Sequence, residues 1–165
     1  MSLSLSALRK EKQISRKGLE KKYPLSQSSQ SLLFLDIADS HIRNELIEAC
    51  TLIDISVFLS SPTHDAPAPV YVEKDFAGFD IFVTDMERTF PIIDMMHAWV
   101  VPILPEKNSY GTAFTQFNPM RFEGNAFLYK KMNVFSIFEQ IIRYLEDVRF
   151  PEDKNILLQN VIKTF

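Results

Sequence analysis

Leu32-Leu33-Phe34-Leu35-Asp36-Ile37 is the stretch on which the reading of this chain turns. It is a continuous apolar run with polar residues on either side. A strand with one wet face alternates apolar and polar residues, whereas an unbroken run fits a strand covered on both faces. Downstream, Ser40 is a suitable N-cap for a helix over about 41–50, with Ile42, Leu46 and Ala49 at helical spacing. Ile53, Ile55, Val57 and Leu59 then alternate with Asp54, Ser56 and Phe58, a strand pattern. These residues together read as a strand–helix–strand unit.

Further on, Ser60–Pro69 holds three prolines and reads as a loop. Val70–Glu73 fits a short strand. Phe79–Thr84 is another apolar strand, introduced by Gly78. A helix is expected over Glu87–His97, with Pro91 in its first turn. Trp99–Leu104 reads as a strand whose Pro102 lacks an N–H, which suits an edge or a bulge. Residues 105–125 are rich in loop formers. Val134, Phe135, Ile137, Phe138, Ile141, Ile142, Leu145 and Val148 recur at helical spacing. Either a Ser136/Glu139 capping box or Asn133 starts that helix. Pro151, Glu152 and Asp153 open a second one, reaching about residue 164. The expected fold is α/β or α+β: a single domain over about 31–165. It has a mixed sheet of about five strands and two C-terminal helices packed on one face.

Upstream, residues 1–30 form a basic, Ser-rich segment expected to be a flexible arm. Seven Lys/Arg stand there against two Glu, a net +5, and the whole chain carries −3, so the body is acidic. A short helix over 5–22 fits weakly, because Leu5, Leu8 and Leu19 are too sparse for a clear apolar stripe. Pro24 and the Ser/Gln run to Ser31 read as a linker. The cations Arg9, Lys10, Arg16, Lys17, Lys21 and Lys22 give an electrostatic footprint for nucleic acid or another anion. Tyr23 is the only aromatic among the first 33 residues, so the arm offers no stacking platform. The charges follow the first leucines rather than precede them, which is the wrong order for a signal peptide. Cys50 is the sole cysteine, so no intramolecular disulfide can form, and a cytoplasmic location is expected. No apolar run approaches the ~18 residues needed to span a bilayer.

Candidate chemistry centres on carboxylates. Asp36 and Asp39 follow the first strand and Asp85 follows Phe79–Thr84, with His41 close by. In an open parallel sheet ligands bind outside the carboxyl ends of the strands. Converging there, these groups would hold Mg²⁺ against a phosphate-containing or nucleotide substrate. They equally fit turn and N-cap roles. Otherwise no cofactor and no metal site is expected, since His41, His64 and His97 share no ligand spacing. His64 reads as solvated and His97 as packed or partly buried. Cys50 falls on the apolar side of its helix and reads as core.

Two stretches have local resemblances. Phe79-Asp80-Ile81-Phe82-Val83-Thr84-Asp85, followed by Val100-Val101-Pro102-Ile103-Leu104-Pro105-Glu106, resembles the later strands of ParA-type ATPases. That family carries a Gly-rich, Lys-containing phosphate loop near its start. Gly18, Gly78, Gly111 and Gly124 make no such loop, so the resemblance implies a nucleotide-free relative. Val83-Thr84-Asp85-Met86-Glu87-Arg88-Thr89 is similar to a segment of AbiEi-type antitoxin regulators. In the same stretch Glu87 and Arg88 stand where a haloacid-dehalogenase nucleophile motif has Asp and Gly. No family is assigned on stretches this short.

Between Tyr110 and Tyr129 the chain is crowded with aromatics, and Tyr110, Phe114, Phe117 and Phe122 are candidate partner contacts. The preferred function is a non-catalytic protein-interaction or regulatory module, binding another protein or a second copy of itself. The alternative is the small Mg²⁺-dependent enzyme described above. It lacks a phosphate cradle and a paired nucleophile.

Overall fold

The computed structural model describes residues 5–23, 31–60, 76–85 and 92–165. The expected strand over Val70–Glu73, the linker at 24–30, His64, and Glu87 to Pro91 lie outside the described residues. Among those described, five strands form one parallel sheet in the order β2-β1-β3-β4-β5. The strands are β1 (Ser31–Asp36), β2 (Ile55–Leu59), β3 (Ile81–Thr84), β4 (Val101–Pro105) and β5 (Phe127–Tyr129). Five α-helices accompany them: α1 (Leu5–Lys22), α2 (Ser40–Thr51), α3 (Ile92–His97), α4 (Val134–Asp147) and α5 (Pro151–Ile162). The result is a single α/β domain with two C-terminal helices. No described helix is long and apolar enough to cross a membrane.

β1 lies between β2 and β3, in register Leu33↔Val57 and Leu33↔Ile81. Every residue of it is buried, as the unbroken apolar run requires. The cover comes from helices that pack in pairs, α2 with α4 and α3 with α5. The sheet is parallel throughout rather than mixed. β5 supplies a fifth strand from within the aromatic stretch, pairing Ile103 with Phe127.

Pro102 is not on an edge strand. β4 is flanked by β3 and β5. Val101 N–H donates to Asp80 O on the β3 side, so the next residue faces the other way. There β5 pairs only from Ile103 onward, and no partner asks for the missing N–H.

The N-terminal segment departs most from expectation. The helix that fitted weakly over 5–22 is present as the 18-residue α1, and it packs on the body. Leu19 is buried, and Tyr23 meets Phe58 edge-on at 5.2 Å. Gly78 lies against this helix: a Cβ there would meet the Leu19 side chain and come within 3.3 Å of the Ser15 carbonyl carbon. A helix in which Leu19 is the deeply buried leucine among the described side chains shows almost no stripe in sequence. Its attachment is ionic as much as apolar.

Candidate functional site

The carboxyl edge of the sheet is where an α/β fold binds ligands, and the order of these strands reverses there between β1 and β3. The three expected carboxylates sit at this edge but are already engaged. Asp36 is buried and accepts hydrogen bonds from the hydroxyls of Ser60 and Thr84. Asp85 Oδ2 accepts from Ala38 N–H at 2.6 Å, tying the β3 exit to the loop after β1. Asp39 is the N-cap of α2, accepting from His41 N–H and Ile42 N–H at 2.9 and 3.0 Å. The cap is thus Asp39 rather than Ser40. The His41 ring is 81% exposed and pairs with Glu45 at 3.2 Å, one helical turn on. Among the described residues no three His, Cys, Asp or Glu side chains are grouped to hold a metal ion. Strand-end aspartates adopt this arrangement because their oxygens satisfy loop and helix N–H groups that have no ladder partner.

Two further residues at this edge went unremarked in the sequence. Lys130 and Lys131 follow β5 directly and are exposed. Their backbone N–H groups both donate to Ser136 Oγ at 3.3 Å, which holds them at the start of α4. Asn133 caps that helix, accepting from Ser136 N–H at 2.9 Å. Two exposed lysines therefore directly precede α4, whose N-terminus carries the end of the macrodipole that favours an anion.

The aromatic candidates do not form one surface. Phe114 and Phe117 are core residues, while Tyr110 and Phe122 are 38% and 63% exposed. The short β5 edge strand needs apolar cover, and the loop before it provides that. Tyr110 packs edge-on against Phe114 at 5.5 Å. Phe122 sits in the left-handed region, φ 58°, after the 3₁₀ turn Pro119–Arg121. His97 is exposed rather than packed. Cys50 is a core residue, and burial pushes its thiol up to about 12, so it stays protonated and inert.

At the opposite, amino end of the sheet lies an ionic cluster that joins α1 to the body. Asp80, buried just before β3, accepts from Leu32 N–H at 3.0 Å and from Arg16 Nη1 at 2.9 Å. Lys12 Nζ lies 3.8 Å from the same carboxylate and donates to the carbonyls of Phe79 and Trp99. Trp99 has φ 65°, unusual for so bulky a side chain. Trp99 N–H bonds Met96 O and Val100 N–H bonds Met95 O, the Schellman closure of α3 with tryptophan where glycine is usual. Of the expected anion-binding cations, Arg16 is committed here and Arg9 donates to Asn155 at 2.7 Å. Lys10, Lys17, Lys21 and Lys22 are exposed. The pairs Lys12–Asp80 and Arg16–Asp80 are more than 60 residues apart, beyond any local pattern. The signal available in sequence was one carboxylate inside an apolar run.

Burial lowers Lys12 from 10.5 to about 8, against the pull of Asp80 and with Lys154 and Arg16 adding repulsion. The unfolded chain holds this proton to about pH 10.5 and the folded chain to about pH 8, so this group's contribution to stability rises with pH across that window. Unfolding free energies of the protein and of Lys12→Met, measured from pH 7 to 10.5, are expected to diverge in favour of the former above pH 8. Parallel curves would contradict the burial of this ammonium.

No protein-family model matches the chain, and no curated protein is similar to it in sequence. A solved structure is similar in fold: the catalytic domain of starch synthase IV from Arabidopsis thaliana, bound to ADP and acarbose. The TM-score is 0.77 at 13% identity. The match covers 98% of this chain and 40% of the starch synthase chain, so this chain spans less than half of that protein's length. The likeness overturns the expectation of a non-catalytic interaction or regulatory module. The fold adopted here is one found in an enzyme's catalytic domain.

Proposed function

We propose that this chain is one α/β unit of a sugar-transferring enzyme and binds a nucleoside diphosphate at the carboxyl edge of its sheet. The observation carrying this reading is the all-parallel order β2-β1-β3-β4-β5, with its reversal between β1 and β3. Sheets of this order bind ligands in the crevice outside that reversal. The starch synthase domain of similar fold was solved with ADP bound. That domain is longer than this chain, which matches 40% of it.

In this reading Lys130 and Lys131 meet the diphosphate, aided by the N-terminus of α4. Asp36, Asp39 and Asp85 shape the crevice by holding its loops. Titration calorimetry with ADP is expected to show binding to the protein. Lys130→Gln with Lys131→Gln is expected to weaken it by about tenfold or more while the circular dichroism spectrum stays unchanged, since a charge-assisted hydrogen bond is lost. Failure of the unmodified protein to bind ADP would overturn the reading.

A further inference from the structure

The amino end of the sheet holds a concave surface, remote in the fold from the carboxyl ends of the strands. A groove of about 510 Å³ runs between α1 and α5. Arg9, Lys12, Arg16 and Lys154 line it, against one carboxylate, Asp80. Lys154 forms no ion pair among the described residues. Trp99 also lines the groove, and its indole Nε1–H is buried with no hydrogen-bond partner among the described residues. An orphaned donor of this kind costs stability unless something accepts from it. Burial is the main cause of the lowered Lys12, Asp80 opposes it, and Lys154 and Arg16 add a smaller repulsion. Pro151 and Leu158 give the same groove an apolar wall.

We propose that this α1–α5 groove is a binding site for a small organic phosphate. The phosphate takes the ammonium of Lys154 and the guanidinium of Arg9, and the organic body lies along Trp99 and Leu158. The site has an excess of donors and positive charge, which selects an acceptor-rich anion. Its volume falls in the range of small-ligand sites. It is separate from the proposed nucleotide crevice, so either can fail alone.

The test uses ribose 5-phosphate, with inorganic phosphate and uncharged ribose as comparisons, read by calorimetry and thermal shift. Ribose 5-phosphate is expected to bind and raise the Tm, phosphate to bind more weakly, and ribose to do neither. Lys154→Gln and Arg9→Gln are each expected to weaken ribose 5-phosphate binding about tenfold. Both residues lie at the groove's rim, and unchanged Tm values without ligand confirm that these variants fold. The Lys130→Gln, Lys131→Gln double variant is expected to bind it as the unmodified protein does. Absence of binding at ~10 mM, or binding untouched by Lys154→Gln and Arg9→Gln, would overturn the proposal.

Discussion

Gly124→Ala is expected to destabilise the protein by about 3–5 kcal/mol, combining a left-handed backbone penalty with overpacking against rigid neighbours. Gly124 has φ +91°, and a Cβ there would strike the Gln116 carbonyl oxygen and lie 2.6 Å from Phe117 Cα. Those atoms belong to the backbone and are held in place. Phe117 N–H donates to Ala126 O at 2.8 Å, and Ala126 N–H to Thr115 O at 3.2 Å. The Gly124 carbonyl is itself held by Asn160 Nδ2 at 3.0 Å, which ties the loop to α5. Relief by a rotamer change is therefore closed off. For a chain of this size the loss lowers Tm by roughly 10 °C. Thermal and urea unfolding check it, and a change under ~1 kcal/mol would mean this loop is not closed as described.

Asp80→Ala is expected to have a comparable effect through charge rather than volume. The substitution removes the shared acceptor of Arg16 and the Leu32 N–H and the counter-charge of Lys12, although Arg16 keeps Glu20 and Lys12 keeps the carbonyls of Phe79 and Trp99. Removing one member of a buried ion pair costs ~3–5 kcal/mol, because the remaining charge stays desolvated. Here an alternative exists: α1 can leave the surface, taking both cations into water. The expected result is therefore a lower Tm together with faster proteolysis within residues 5–22. A double-mutant cycle with Arg16→Met separates the contributions. Coupling of ~1–3 kcal/mol is expected if the Arg16–Asp80 contact at 2.9 Å holds the helix. Additive effects would show that the Arg16–Asp80 contact does not hold α1.

The fold was legible where the apolar pattern is set by strand or helix period. The unbroken run at 32–37 announced a strand with two covered faces, and β1 is buried at every position. α4 was legible for the complementary reason: its apolar residues recur every three to four positions and bury Ile137, Ile141 and Tyr144. The span of α1 was legible as a weak helix over 5–22, but its docking escaped because the attachment rests on a few residues, among them Lys12, Arg16 and Leu19, of which two are cations. A cation in sequence reads as solvent-facing unless its partner is known, and Asp80 is remote in the chain. The aromatic stretch misled similarly. Phe114 and Phe122 are alike in composition, yet one is core and the other exposed. Their difference comes from the turn that directs each ring.

The sequence by itself narrowed the class to α/β or α+β and determined the strand–helix–strand opening, the two C-terminal helices and the acidic body. Each follows from local period, capping and charge, which need no knowledge of distant residues. Only the tertiary structure decided that the sheet is wholly parallel and that the N-terminal cations clamp Asp80. It also decided that the strand-end carboxylates are engaged in holding loops and a helix cap. Those outcomes depend on which strands become neighbours, and strand order is a long-range property that no stretch such as Leu32–Ile37 carries within itself.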